Sequence, residues 1–508
     1  MSWIPKLPDL QSAWLLLYYC AVPRANYIIR LLPPDVSKPY AEMHDKAIYD
    51  CFFSLLGRPE GTVSMSLDHT KICLIGGLPT FFGGLGLRSA VHISKAAFWA
   101  AWADAVPVLL QRSEATMRPW LDKLAHIETL TDSQWKNLTD ANFVLPYCIA
   151  EAERARRELR SVGFLECPSW TELIAGAQPP QIENPEPGEW KRGWQFFATR
   201  ACDSHLLERD VKPFLSKTEQ ALLLSQSGPH AARFLHALPT NPQLTIDSNV
   251  FQVLLRRRTR TTLPIEMTEC PGKSCLVALD SFRDHLSSCM KSGRVKLRAS
   301  PLEMAWAQVC REAGAKVVMH TKLRDVLLNC GNVSSKTHDT NTRQIEVGVY
   351  GLPLFQGVPI LLDCTQASPL TANGVPHPKT CVTPGAAIQS AEKRKRNQYP
   401  EFSNHDSRAC FLPLACEIGG RWSETSLTFV SNLAKFRAMQ EPVHMRRSTE
   451  YAWLCRWWNI LSVTAQKSFA SSISNIEPSL IFQASGGFSP STYEVLADCK
   501  YDSGSFLS

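Results

Sequence analysis

No signal peptide is apparent at the start of this 508-residue chain. The apolar run Ala13–Val22 is ten residues long before Pro23 ends it, whereas a membrane-crossing helix takes ~20 apolar residues. The Tyr18-Tyr19 region is therefore expected to be a buried core helix, and no membrane partner is expected. A disulfide framework is also missing: the 17 cysteines are odd in number and irregularly spaced, which favours a reducing compartment. The segment GGLPTFFGGLG lacks the Lys-Ser/Thr that a phosphate-binding P-loop needs, so it reads as tight turns. Neither an internal repeat nor a coiled-coil heptad pattern is present. The net charge of +7 is mild, and 44% apolar residues is ordinary for globular protein, so disorder does not dominate.

What is there divides into several parts, as the length leads one to expect. Residues 1–165 read as mainly helical, with tryptophans and alanines at helical spacing in AAFWAAWADAVPVLL acting as core. Residues 166–190 are Pro-rich and read as a linker, and 191–263 as a helical connector. A Cys/His cluster occupies 264–298, and a mixed α/β region 299–478 closes with the helix-like YAWLCRWWNILSVTAQKSFASSI. The Ser/Gly-rich tail 479–508 is expected to be disordered.

The richest chemistry lies between Ile345 and Tyr399. Ile345, Val347 and Val349 alternate onto one face of a strand, and Glu346 points the other way. The run Val358–Thr365 is almost wholly apolar until Asp363; an acid there is costly to bury without a metal or a cation. A helix-like segment, PGAAIQSAEKRKRNQY, follows. On its wheel Ile388, Ala391 and Tyr399 gather around Lys395, while Lys393 faces away. Glu392 lies beside that stripe as an extra ligand or a salt-bridge partner. Two carboxylates suit a hard ion such as Mg²⁺, and a lysine can position water or stabilise charge on a phosphate. The same KRKR run, with Arg394 and Arg396, also reads as a phosphate-contacting patch, a solvated face or an import signal.

Cys270, Cys275, His285 and Cys289 form the pattern C-x4-C-x9-H-x3-C. Gly272 lets the first pair converge, and the last two are four apart, on one face if helical. Four soft or borderline ligands with no position left open suit a structural Zn²⁺. Upstream, LLRRRTR carries Arg256, Arg257, Arg258 and Arg260, which read either as phosphate contacts or as a solvated helix end.

The order PLEMAWAQVCREAG (helix), AKVVMH (strand), the two acid-bearing strands, the basic helix, then ACFLPLACEIGGRW (strand, with Glu417 near its end) resembles the α-β-β-β-α-β core of PD-(D/E)xK restriction-like nucleases. The chain as a whole resembles the C-terminal part of non-LTR retrotransposon reverse transcriptase proteins. IPKLPDLQSAWLLLYYC…FFSLLG is similar to their thumb region, LPTFFGGLGLRSAVHISKAAFWAAW to the segment after it, and the CCHC element precedes the nuclease in both. The resemblance implies a multidomain protein, with a mainly α N-terminal half, a small zinc knuckle and an α/β restriction-endonuclease-like domain. It implies Mg²⁺-dependent nicking of double-stranded target DNA by Glu346, Asp363 and Lys395, with Zn²⁺ structural. Element RNA is a further partner, and a nuclear location follows. Lys395 and Tyr399 match the family's Lys-x-x-x-Tyr. The first acid stands as Ile-Glu rather than Pro-Asp, and Arg324-Asp325 is an alternative source for it. A YADD-like or FADD-like segment is missing, so no polymerase activity is expected, and the chain is expected to begin downstream of that centre. A catalytically dead nucleic-acid-binding remnant is the competing reading, with the insertion around Asn329–Arg343 fitting decay as well as variation.

Overall fold

The computed structural model describes residues 2–57, 67–131, 133–134, 146–181, 192–265, 267–329, 343–402, 408–474 and 489–499. Near the N-terminus, the Asp9 carboxylate accepts the Ser12 N–H at 2.7 Å and caps the helix Leu10–Leu16, which runs on as a π-turn over Leu17–Ala21. Trp14 and Leu17 are fully buried, as the core-helix reading requires, and the Trp14 indole donates to the Leu235 carbonyl at 2.9 Å. Truncating so large a buried ring costs about 3–5 kcal/mol.

From that helix one apolar core runs without a break to the far end of the fold. It joins Trp14, Phe52 and Leu56 to Phe234 and Phe251, then to Cys270, Leu286 and Cys289. From there it passes to Trp306, Val347, Leu362, Trp453 and Trp457. The boundaries drawn at 263 and 298 therefore mark changes of structure along the chain, not gaps between separable bodies. A second core gathers the helices Ala90–Glu128, Tyr147–Ser161, Trp170–Ile174 and Trp194–Leu206 around Trp99, Trp170 and Trp194. The Ala90–Glu128 helix is long and apolar enough to cross a membrane by length and composition alone. Half of its most apolar window is nevertheless buried among its neighbours, as in a core helix.

Two expectations need correcting. The stretch read as a linker begins with a docked helix: Ser169 and Glu172 form a capping box, and Trp170 and Leu173 are fully buried. Proline content signalled a connector, but two apolar side chains pay for ordering its first half; residues 182–191 lie outside the described residues. The tail contains a helix, Thr492–Cys499, with Val495 buried against the long helix Arg446–Ser474. Tail residues 479–488 and 500–508, and the insertion 330–342, lie outside the described residues.

Among the described residues, one mixed sheet of four strands stands in the C-terminal third: β1 (Lys316–Lys322), β2 (Gln344–Tyr350), β3 (Ile360–Ala367) and β4 (Cys410–Glu417), in that spatial order. The first two pairings are antiparallel and the last is parallel. The crossover between β3 and β4 carries the helix Ala386–Gln398, as a parallel pair demands. The helix Ala299–Glu312 precedes β1, and a short helix, Leu323–Asn329, intervenes between β1 and β2. The chain is thus mostly helical, with a small mixed sheet and a Cys/His cluster beside it.

Candidate metal centres

Glu346, Asp363 and Lys395 meet at the place where β2 and β3 part. Their ladder runs through Val349↔Ile360 to Val347↔Leu362; one more step of the same register sets Glu346 against Asp363. There the Glu346 carboxylate inserts between the strands, and Oε2 accepts the Cys364 N–H at 2.5 Å. Asp363, 1% exposed, accepts a hydrogen bond from Lys395 Nζ, which also lies 3.7 Å from Glu346 Oε1. The wheel argument holds: Lys395 turns inward, while Lys393, Arg394 and Arg396 are exposed.

The electrostatics are unbalanced. Burial first, and the Asp363 charge second, push the Glu346 carboxyl up to about 8, against the pull of Lys395 and the Cys364 N–H. Burial alone would lower the Lys395 ammonium, but Asp363 and Glu346 together raise it. Two further groups border this cluster that sequence reasoning missed. Glu303, on the helix Ala299–Glu312, is 6% exposed, and its carboxyl is raised by burial and by Asp363. Its signal was an acid on an apolar stripe with Ala299, Ala307 and Cys310. His320 stands directly across from Glu346, between the pairs Met319↔Val347 and Thr321↔Ile345, and its Nε2 lies 3.7 Å from Glu303. Its backbone is left-handed, φ 53°, which no pattern in the sequence announces.

The remaining candidates fall elsewhere. Asp325 lies on the short helix before β2, half exposed and paired with Arg324 at 3.3 Å, away from the cluster. Of the two candidate first acids, Glu346 is the one that lies beside Lys395. Glu417 pairs with Ala367, four residues beyond Asp363, about 13 Å along the strand. It lies beside Ser225, Arg421 and the start of the helix Ala386–Gln398 rather than in the cluster; burial raises its carboxyl. Glu392 makes a long contact with Arg396, 4.0 Å, which fits its salt-bridge alternative. The Tyr399 hydroxyl donates to the Gln344 carbonyl at 2.8 Å, tying the end of the basic helix to the start of β2; burial, then Asp363 and Glu346, raise the phenol.

The second centre is the Cys/His cluster. Cys270, Cys275, His285 and Cys289 bring one ligand atom each within 4.8 Å of one another. The Cys270–Cys289 and Cys275–Cys289 sulfur distances are 3.9 and 3.6 Å. A tetrahedron with Zn–S bonds of ~2.3 Å sets sulfurs ~3.8 Å apart, so these residues fit a metal such as zinc. Cys275 Sγ is 3.2 Å from His285 Nε2, and His285 Nδ1 donates to the Ala372 carbonyl at 2.8 Å, leaving Nε2 for a metal. Burial raises the Cys270 thiol to about 11; Cys289 is drawn down to about 7, because the Ser292 N–H and its Cys and His neighbours outweigh its own burial. Gly272 earns its place: a Cβ there would meet the Lys291 carbonyl oxygen at 2.7 Å. His285 begins a 3₁₀ turn rather than an α-helix, yet the Cys289 N–H still reaches the His285 carbonyl at 3.0 Å.

The arginine run beside this cluster is built inward, which corrects its reading as a phosphate-contacting patch. Arg257 and Arg260 clamp the Asp284 carboxylate, each with contacts of 2.6 Å. Arg258, 4% exposed, donates to the carbonyls of Gly84, Thr80 and Gln226. Arg256 donates to the Thr262 and Leu56 carbonyls. A fork of donors satisfies several carbonyls at once, so arginine serves here as a strut.

No protein-family model matches this chain, and comparison with curated proteins finds no relative.

Proposed function

We propose that this protein is a metal-dependent DNA endonuclease that nicks duplex DNA and holds nucleic acid through its Cys/His element. The reading treats the chain as part of a non-LTR retrotransposon protein with a restriction-like nuclease domain. The observation that carries it is the convergence of Glu346, Asp363 and Lys395 at the splayed ends of β2 and β3.

The residues suit a divalent ion. Three carboxylates, Glu303, Glu346 and Asp363, surround one ammonium, and burial first, then the Asp363 charge, pushes the Glu346 carboxyl up to about 8, so that it is largely protonated at neutral pH. Glu346 and Asp363 would hold the ion. When bound it supplies charge stabilisation on the phosphate and a more acidic water. Asp363 fixes the Lys395 ammonium in place, and that ammonium is a donor for a phosphate oxygen or an attacking water. In hydrolysis the water oxygen bonds to phosphorus, one P–O ester bond breaks, and the leaving oxygen takes a proton. Arg394 and Arg396, exposed on the same helix, suit phosphates flanking the cut. Zn²⁺ at the Cys/His cluster would be structural, since all four positions are filled by protein. Double-stranded target DNA is the substrate, element RNA a further partner, and the nucleus the place of action.

One observation favours a second reading. Lys395 already bridges both carboxylates, as a buried ion pair that locks helix to sheet without any metal would. The decisive experiment is nicking of supercoiled plasmid by the full chain with Mg²⁺, with EDTA, and with Asp363→Asn and Lys395→Met. Metal-dependent nicking that drops at least ~100-fold in both variants supports the nuclease. A folded, zinc-loaded wild type that leaves the plasmid supercoiled supports the binding-only remnant.

A further inference from the structure

The helix Pro34–Leu55 is apolar on two sides, and the described residues cover only one of them. Ser37, Ala41, His44 and Ile48 form the buried side. Val36, Pro39, Tyr40 and Met43 follow the i, i+3, i+4, i+7 spacing of a second stripe, turned about 120° from the first, and all four are exposed. Met43 is 69% exposed and Val36 52%. Tyr27 and Leu31, one turn apart on the helix Asn26–Leu31 that leads into this one, and Leu32 between the two helices, are exposed as well. Large apolar side chains left in the open among the described residues thus concentrate before residue 44, and a patch of that kind marks an interaction surface.

The stripe fits itself. Turned end for end about a two-fold axis between residues 39 and 40, it sets Val36 against Met43 of a second copy and Pro39 against Tyr40, then repeats both contacts in reverse. Such an axis also brings the same flank of the two helices together. On that flank stand Asp35 and Lys46, both about 90° from the stripe and both exposed. In this register Asp35 lies two residues, about 3 Å, from the level of Lys46 in the second copy, within reach of the long ammonium side chain, and the pair occurs twice. The Tyr147 hydroxyl donates to Asp35 and holds it in place. Lys46 makes an exposed pair with Asp50 at 2.5 Å, which is worth little and leaves the lysine to turn. Glu42, at the far edge of the same flank, is occupied by Lys38 at 3.8 Å. Tyr40 stacks on His44 with ring centroids 6.3 Å apart, so its ring is positioned before a partner arrives.

We propose that this face binds a second copy of the chain, the helix Pro34–Leu55 pairing antiparallel with its own counterpart. Any apolar helix could cover the stripe, but the opposite charges at its two ends are matched by the stripe's own sequence read backwards. Four side chains fall short of the about 800 Å² that a stable interface takes from each partner, and Tyr27, Leu31 and Leu32 extend the face. The proposal stands apart from the nuclease reading, since none of these residues belongs to the acidic cluster.

The test is analytical ultracentrifugation of the full chain, washed free of nucleic acid in high salt, from about 0.1 to about 50 µM. A dimer is expected, and Met43→Glu should weaken it at least ~30-fold. Asp35→Lys and Lys46→Asp, made singly, should each weaken it by about 10-fold, since each sets like charges together at both ends; made together they should restore it. All three positions are exposed, and an unchanged melting curve checks the fold. A monomer at every concentration overturns the proposal and leaves the face to a different partner. A dimer indifferent to Met43→Glu overturns the surface. Single charge variants that the double exchange does not rescue overturn the antiparallel register.

Discussion

His320 stands across the β1–β2 ladder from Glu346, in the one position of that pairing where the backbone turns left-handed, and its ring reaches towards Glu303. A histidine at φ 53° is strained, and such strain persists where surrounding structure imposes it. Glycine would remove the strain and the ring together. His320→Gly is therefore expected to raise the melting temperature slightly, by the equivalent of about 1 kcal/mol, while nicking falls at least ~10-fold. Glu303→Gln should reduce nicking without that gain in stability. Unchanged nicking in both variants would confine the active cluster to Glu346, Asp363 and Lys395.

Zinc removal should be felt well beyond the Cys/His loop. His285 holds the Ala372 carbonyl, Ser288 holds that of Leu370, and Ser287 meets Ser368 at 3.1 Å, all in the segment leaving β3. The residue before His285, Asp284, anchors Arg257 and Arg260. Elemental analysis should find one zinc per chain, lost in Cys289→Ser. Chelation should then abolish the cooperative melt of the sheet region, not merely loosen a surface loop. A chelated protein that melts as before would show that the cluster is dispensable to the fold.

The two arginine runs should separate cleanly. Arg258 is buried among carbonyls, and burial draws its guanidinium down to about 9, so its role is internal. Arg258→Met should cost about 3 kcal/mol or more in urea unfolding, because carbonyls of the Gly84 loop lose their donor. It should not lower the salt dependence of duplex DNA binding. Arg394→Gln with Arg396→Gln should do the reverse: stability within ~0.5 kcal/mol of wild type, and a salt slope shallower by about 1.8 for two lost phosphate contacts.

The contrast between those runs shows what could be read from the chain. Lys395 was legible because helical periodicity alone orients KRKR on an exposed helix, with Ile388 and Ala391 marking the buried side. The Cys/His cluster was legible because ligand spacing is local. Arg256–Arg260 misled, since a run of charge at a helix end gives no hint that Asp284 and the Gly84 loop will fold over it. Glu303 and His320 were missed for a related reason: their place beside Glu346 depends on strand register and helix docking, which join residues far apart in the chain. The Pro-rich stretch misled because composition cannot register that Trp170 has a core to enter.

Two half-buried histidines packed against aromatic rings are expected to make stability fall in mild acid. His230 stacks on Trp458 with ring centroids 4.5 Å apart, and His236 meets Tyr18 at 4.5 Å. Burial, and then the charge of Arg233, pull both imidazoles down to about 3; Arg258 adds to this at His236. In the unfolded chain each takes up a proton near pH 6.5. Between that pH and about 3 the unfolded state therefore binds more protons, so stability is intact above about 6.5 and declines as pH falls. The slope tends to about 1.4 kcal/mol per pH unit for each histidine. A melting temperature that drops steeply from about pH 7 to about pH 5 is expected. His230→Phe, which keeps the ring against Trp458, should remove about half of that slope. An equally steep decline in this variant would place the acid sensitivity in other groups.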